Sequence, residues 1–190
     1  MSLDLKKESE TIIEHLKRGE IVLYPTDTVW GLGCDATNGR AIDKINALKN
    51  RGAEKNLICL VSDYEMLEKH VRFVPSVVYD ILKQSVNPVT IIYDEPINVA
   101  ENIIAPDNTL AIRVVKDPFL AKLIRRFKRP LVSTSANFSG DPTPKSFEEI
   151  NPLLKEKVAY IAKAPVKSKS TKPSSIIKVS RDLKVEVIRK

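Results

Sequence analysis

The chain has 190 residues, of which 43% are hydrophobic, and its formal net charge is +7. This length predicts one domain with a sizeable core. No apolar run approaches the ~18 residues of a membrane span, and the charged N-terminus lacks the apolar stretch of a signal peptide, so we expect a cytoplasmic protein without a membrane segment. The positive charge favours anionic partners such as nucleotide phosphates or RNA, although a lysine-rich solvated surface would account for it equally well.

The first half of the chain alternates between helical and strand patterns. Leu5, Ile12 and Leu16 recur at helical spacing, and Gly19 is a typical helix stop. In chain order, the patterns predict a helix over residues 4–18, a strand over 20–24, a helix over 39–49, a strand over 57–61, a helix over 62–70 that begins with a Ser62/Glu65 capping box, and a helix that starts at Pro75.

The second half continues the alternation and ends in strands. Arg113 should lie on the opposite face of its strand from Ile112 and Val114. The patterns predict strands over 89–93 and 110–115, a helix from Asp117 to Phe127, a short strand at 131–132, a helix capped by Ser146 and Glu149, and strands over 158–162, 176–179 and 185–188. Residues 1–190 should therefore form one α/β domain with a mixed sheet.

The segment from Tyr24 to Gly33 is the first candidate for a binding site. An apolar strand stops at Pro25 and is followed by the hydroxyls of Thr26 and Thr28. Polar groups after a buried strand are a common way to build a small-molecule site, and glycines permit a tight turn or a close approach to a ligand. A hairpin or a strand–helix connection without a ligand is the alternative.

Two further segments carry groups that suit phosphate. Lys49, Arg51 and Lys55 cluster where a predicted helix ends; they would hold a triphosphate or simply complement the helix dipole. Residues 130–140 take a second buried strand into a dense set of hydroxyls and one amide, which suit phosphate or ribose oxygens better than a plain turn does. The lysine- and serine-rich stretch 163–173 is either a mobile loop or a lid over that site.

The sequence lacks the motifs of several common nucleotide-binding and catalytic sites. The sequence contains no P-loop, no dinucleotide-binding glycine motif and no nucleophile elbow. With only two cysteines and two histidines, the sequence does not predict a zinc site. We expect Cys34 and Cys59 to be reduced thiols. Any reaction should depend on positioning and charge stabilisation, which fits phosphoryl or nucleotidyl transfer.

Taken together, these segments resemble the YrdC/Sua5 family of threonylcarbamoyl-AMP synthases. Residues 25–33 (PTDTVWGLG) are similar to the family pattern P-T-E-T-V-Y-G-L-G, and residues 133–140 (STSANFSG) to S-T-S-A-N-x-S-G. Further family motifs occur here in the same order as in the family, at residues 49–51, 87–90, 109–114 and 173–177. The sequence departs from the pattern at Asp27, where the family usually has Glu, and at Trp30, where it usually has Tyr.

The resemblance implies a fold, a reaction and a set of site residues. The fold would be YrdC-like, a twisted parallel/antiparallel sheet flanked by helices. L-Threonine, bicarbonate and ATP would give threonylcarbamoyl-AMP and pyrophosphate for N6-threonylcarbamoyladenosine in tRNA, with Mg²⁺ arriving on ATP because no carboxylates cluster into a dedicated site. By matching positions, ATP would be bound by Lys49, Arg51, Lys55, Ser133, Ser135, Asn137, Ser174 and Arg189, with Lys49 and Arg51 catalytic, and threonine would be bound by Thr26, Thr28, Thr109 and Arg113.

Other classes stay open beside this prediction. An RNA-binding module of the same fold without turnover would also account for the charge, through weak contacts with phosphates. A carbamoyl-adenylate-forming domain like those of hydrogenase-maturation proteins is a third class, but there the domain lies within a much longer chain. If the chain is a synthase, a separate tRNA threonylcarbamoyltransferase should consume its product, and weak binding to tRNA is expected.

Overall fold

The computed structural model describes residues 4–49, 57–164 and 173–189. Within these ranges the helices are α1 (Leu5–Lys17), α2 (Gly39–Leu48), α3 (Tyr64–Glu68), α4 (Ser76–Gln84), α5 (Pro118–Phe127) and α6 (Pro152–Glu156), with a short 3-10 turn at Glu101–Ile103. The strands are β1 (Val22–Pro25), β2 (Trp30–Asp35), β3 (Ile58–Val61), β4 (Val89–Asp94), β5 (Thr109–Val114), β6 (Leu131–Ser135), β7 (Tyr160–Ile161), β8 (Ser175–Val179) and β9 (Val185–Arg189).

All of the described strands join one mixed sheet, as the sequence predicted. Their order is β7-β1-β2-β6-β3-β5-β4-β8-β9. Three neighbouring pairs, β1–β7, β3–β5 and β4–β8, are parallel, and the other described pairs are antiparallel. Strand β6 separates β2 from β3, so the sheet brings together segments that are far apart in the chain.

Helices pack against both faces of this sheet. On one face, α2, α3 and α4 cover alternate strand residues that include Leu23, Ile112 and Val132. On the other face, α1 and α5 cover the alternate residues Tyr24 and Leu60. Burial of apolar side chains on both faces is the main stabilisation of such a layered domain.

The sequence explains where the two helices of the second face begin and end. Asp4 caps α1 by accepting from two backbone N–H groups, and Gly19 follows the helix with a φ of +68°. Asp117 caps α5, and Pro118 occupies its first turn. The buried residues of α5 recur at helical spacing and are Leu120, Leu123, Ile124 and Phe127. Among the described helices, none is long and apolar enough to cross a membrane.

Four local predictions were wrong in instructive ways. Gly31 and Gly33, which were expected to permit a tight turn or a close approach to a ligand, lie inside β2. The hydroxyls from Ser133 to Ser135 belong to β6, which is longer than predicted. Asp63, and not Ser62, caps α3.

The fourth error concerns the helix expected at Ser146. No helix begins there; instead the Glu149 carboxylate accepts from the Lys145 backbone N–H, and α6 begins later with Asn151 as its cap. The Glu149 side chain thus closes a turn with Lys145 and does not cap a helix, and Pro152 marks the true helix start.

Candidate functional site

Helices α1 and α5 cover only part of their face of the sheet. The uncovered part of that face forms a cavity of about 250 Å³. Ile58 and Ile92 are both register partners of Ala111 in neighbouring strands, so these side chains share that open face. The apolar part of the lining includes Val29, Ile58, Ile92, Ala111, Ile176 and Ile188. The polar part comes from the β1–β2 turn, the end of β6, Arg113, and the β8–β9 edge. An apolar floor with a few convergent polar groups is the usual form of a small-molecule site.

The turn between β1 and β2 presents its threonines to the cavity in a fixed arrangement. The Thr26 hydroxyl accepts from the Thr28 backbone N–H at 3.1 Å and donates to the Val29 carbonyl at 2.8 Å. The Thr26 and Thr28 hydroxyl oxygens are 2.9 Å apart, and both residues are buried. These bonds within the turn hold its hydroxyls in place, so the predicted binding loop is preorganised.

Arg113 is a buried cation beside this turn. Its side chain is 5% exposed, its Nη2 lies 3.0 Å from Asp27 Oδ1, and its Nη1 donates to the Thr28 hydroxyl at 3.3 Å. Among the described residues, nothing accepts a hydrogen bond from its Nε. A buried guanidinium with one donor group unused has capacity for a further anionic or carbonyl oxygen.

A second arginine lies across the cavity from the turn. Arg189 belongs to β9, and its Nε and Nη2 both donate to the Ser174 carbonyl, at 3.1 and 2.8 Å. Partial burial lowers the pKa of the Arg189 guanidinium, and the positive charge of Arg113 contributes to the shift in pKa. The positive charges of Arg113 and Arg189 repel each other, so an anion bound in the cavity would stabilise both.

The end of β6 supplies the predicted nucleotide-binding hydroxyls. Ser133, Thr134 and Ser135 line the cavity. The Ser135 hydroxyl donates to Asn137 Oδ1, and the Asn137 amide donates to the Asp141 carbonyl at 2.7 Å. The segment is therefore held in place by its own side chains.

Lys49, predicted as one of the cations at the end of a helix, is buried in the structure. It follows the last turn of α2, is completely buried, and donates from Nζ to the Ser135 carbonyl and to Asn137 Oδ1 at 3.3 Å. Its ammonium thus lies behind the end of β6. Helix-dipole complementation alone does not explain a lysine that is buried against another strand.

The structure does not bring every predicted site residue together. Thr109 begins β5, four residues before Arg113, and does not line the cavity. Its hydroxyl instead donates to the Asp107 carboxylate, with 2.7 Å between the two oxygens. Arg51 and Lys55, assigned to the ATP phosphates, lie outside the described residues, as does most of the 163–173 stretch.

Sequence reasoning missed the apolar floor of the cavity. Ala111 lies two residues before Arg113 in a predicted strand, so their shared face was a usable signal. The contributions of Ile58 and Ile176 were not accessible, because they depend on which strands become neighbours.

Comparisons with known proteins agree with this architecture. The family model Sua5_yciO_yrdC, described as "Telomere recombination", matches residues 14–190. A threonylcarbamoyl-AMP synthase of Pseudoalteromonas translucida is 35% identical over 85% of this chain and 87% of its own length. The protein of the same name from Vibrio parahaemolyticus is 33% identical over 94% of this chain and 96% of its own.

A solved structure extends the comparison to three dimensions. The crystal structure of P. abyssi Sua5 complexed with L-threonine is 26% identical to this chain, with a TM-score of 0.78. The match covers 94% of this chain and 52% of that protein, so the chain spans about half the length of Sua5.

Proposed function

Because the chain belongs to the Sua5/YciO/YrdC family, we propose that it is an L-threonylcarbamoyladenylate synthase. It converts L-threonine, bicarbonate and ATP into threonylcarbamoyl-AMP and pyrophosphate, the activation step for N6-threonylcarbamoyladenosine in tRNA. Relatives at 33–35% identity carry the synthase name. The relative whose structure contains L-threonine has the same fold.

The observation that carries the proposal is the pair of arginines on one preorganised cavity. The reaction must hold two anions, the threonine carboxylate and the nucleotide phosphates, in contact with each other. Arg113 and Arg189 both line this cavity and supply positive charge above its apolar floor. Preorganised charge in a partly buried site stabilises such anions far more than charge in water does.

The chemistry requires two bond-forming steps. The threonine amine nitrogen attacks the carbon of carbon dioxide derived from bicarbonate. One C–O π bond opens, the nitrogen loses a proton to solvent, and a carbamate forms. A carbamate oxygen then attacks the α-phosphorus of ATP. The bond between that phosphorus and the oxygen bridging the α- and β-phosphates breaks, and pyrophosphate leaves. Neither step forms a covalent bond to the protein, which agrees with a site built from neutral hydroxyls and arginines.

We assign the threonine end of the cavity to the β1–β2 turn. Arg113 would bind the threonine carboxylate through Nε, for which the described part of the chain supplies no acceptor. Thr28 and Thr26 would orient the amino acid, since their hydroxyls lie beside that guanidinium. Thr109 has no part in this assignment, because it lies away from the cavity.

We assign the nucleotide end to the β6 segment and the β8–β9 edge. Ser133 and Ser135 would bind nucleotide oxygens beside Arg189 and Ser174. Asn137 and Lys49 would support this segment from behind, with the Lys49 charge close to the phosphates. The family resemblance assigns Arg51 and Lys55 to the phosphates as well.

Magnesium enters the proposal as the ion that accompanies ATP. It retains several water ligands and is usually bound by substrate phosphates with one or two carboxylates. Across residues 4–49, 57–164 and 173–189, no three ligating side chains cluster in a way that would hold a metal. The phosphate oxygens would therefore be its main ligands, and its charge would offset that of the leaving pyrophosphate.

The product also implies a partner. Threonylcarbamoyl-AMP is a mixed anhydride, which is unstable in water and needs an acceptor. We expect a separate tRNA threonylcarbamoyltransferase to take it, with weak binding of tRNA to the positively charged surface of this chain.

Pyrophosphate release tests the proposed function. We expect release from ATP with magnesium only when both threonine and bicarbonate are present, and little with serine or valine in place of threonine. Equal release without threonine, or none under any condition, would contradict the synthase assignment. RNA binding with a steep salt dependence and no turnover would instead favour the binding-module alternative.

A further inference from the structure

We infer that Thr90 is a positioning residue for the reaction, acting through Ser174 on Arg189. The inference rests on the proposed function, in which Arg189 binds the nucleotide. It assigns a role to a buried threonine that ends the motif at residues 87–90 but neither lines the cavity nor has a part in the proposed function. It also changes the role of Ser174, from a ligand of the nucleotide to part of the support of Arg189.

The first step is the contact between the two hydroxyls. Thr90 is in β4 and is fully buried, and Ser174 is 2% exposed. Their hydroxyl oxygens are 2.7 Å apart, which is a good hydrogen bond. The Ser174 hydroxyl is thus engaged inside the protein, although the residue lines the cavity.

The second step is the position of Ser174 in the sheet. Strand β8 pairs with β4 from Ser175 onward, where Ser175 is the register partner of Val89. Ser174 precedes this pairing, so the described ladder does not fix its backbone. The Thr90 hydroxyl supplies the missing constraint from the neighbouring strand, and does so through a side chain.

The third step joins Ser174 to the arginine. The Ser174 carbonyl accepts from both Nε and Nη2 of Arg189. Strand β9 is the edge of the sheet, and its five residues are exposed. A long side chain on an exposed edge strand has many rotamers, and a bidentate bond to one fixed carbonyl selects among them. Thr90, Ser174 and Arg189 therefore form one chain of contacts that ends at the cavity.

A set of variants separates positioning from simple stability. Thr90→Val and Ser174→Ala each leave one buried hydroxyl without its partner and should lower the melting temperature. The double variant removes both hydroxyls and should recover much of that stability, but it cannot restore the support of Arg189. We expect all three to raise the KM for ATP about threefold to tenfold, the range of one hydrogen bond, with the KM for threonine little changed.

Three controls sharpen this test. Thr90→Ser keeps the hydroxyl and should restore the ATP KM. In an Arg189→Ala background, Thr90→Val should raise the ATP KM no further, because the residue it positions is gone. Thr37→Val removes a threonine hydroxyl that donates to Asp35 outside the cavity lining, and it should leave the ATP KM unchanged.

Two results would overturn the inference. A double variant with a wild-type ATP KM shows that the hydroxyl pair does not position Arg189. Equal effects of Thr90→Val with and without Arg189 show that Thr90 does not act through it.

A readout without substrate keeps this inference distinct from the proposed function. In the wild-type protein the Arg189 Nε–H should exchange slowly with water by NMR, and in Thr90→Val it should exchange faster. Unchanged exchange contradicts the inference even if turnover is normal. A wild-type chain without turnover would refute the synthase proposal, while this exchange measurement would still decide whether Thr90 holds Arg189.

Discussion

At the scale of single residues, Arg113 shows how one side chain serves two partners. A buried arginine such as this one can pair with a structural carboxylate or bind a substrate carboxylate, and the family resemblance assigns the second role. The structure contains the first of these, Asp27 at 3.0 Å from Nη2, and no described residue accepts a hydrogen bond from Nε. A guanidinium has five N–H donors, so binding Asp27 does not prevent it from binding threonine.

Arg113→Lys tests this dual role. Lysine keeps the charge and can retain the contact with Asp27, but it loses the planar fork. We expect threonine binding to weaken by about 1–3 kcal/mol, seen as a raised threonine KM with the ATP KM little changed.

The control for this substitution is Arg181→Lys, which makes the same change in an exposed ion pair with Glu95. It should alter neither KM. A normal threonine KM in Arg113→Lys, accompanied by a lowered melting temperature, would mean that Arg113 serves only the pair with Asp27.

At the scale of elements, strand β2 depends on the absence of side chains. An alanine Cβ at Gly33 would lie 2.5 Å from Cε1 of Tyr24 and 2.6 Å from the Val132 carbonyl oxygen. Both distances are well below van der Waals contact. Gly33 thus allows the buried Tyr24 ring to lie across β2, and the same ring neighbours Ser133 of the candidate site.

Gly33→Ala should therefore destabilise the protein by roughly 1–3 kcal/mol, the usual cost of overpacking, measured as the free energy of unfolding in urea. Gly39→Ala is the matched control, because its Cβ would lie 3.3 Å from the nearest atom, at the start of α2. That change should stay within about 0.5 kcal/mol. Equal stability of the two variants would show that β2 adjusts without cost.

At the scale of the whole molecule, stability in mild acid should depend on His70. This residue follows α3, is 8% exposed, and its Nδ1 lies 2.7 Å from the Met66 carbonyl oxygen. Burial lowers the pKa of His70 below its ordinary value, against the opposing effect of the hydrogen bond to Met66. Below that ordinary value the unfolded chain binds the proton more readily than the folded chain does.

The free energy of unfolding should accordingly be highest above about pH 6.5 and should fall as the pH drops toward the lowered pKa of His70. Urea titrations between about pH 5 and pH 8 measure this dependence. His70→Gln should reduce the slope, whereas His15→Gln, which removes the histidine paired with Glu20, should leave the contribution of His70 in place. A slope that persists unchanged in His70→Gln would assign the acid sensitivity to other groups.

Much of this molecule was determined locally and could be predicted from the sequence. The helical spacing of Leu120, Leu123 and Ile124, with Asp117 before them, specified α5 nearly to the residue. Alternation in β5 placed Arg113 opposite the core side chains, as the structure confirms. Such predictions succeed because side-chain period and capping depend on residues only a few positions apart.

Tertiary structure decided the rest, because it depends on which distant segments become neighbours. The sequence showed Lys49 at a helix end, but its burial follows from docking of that end against β6. The sequence likewise presented Thr90, Ser174 and Arg189 as parts of separate segments, and strand order alone joined them. The order of strands is fixed by the summed burial of the whole sheet, and no local pattern encodes that sum.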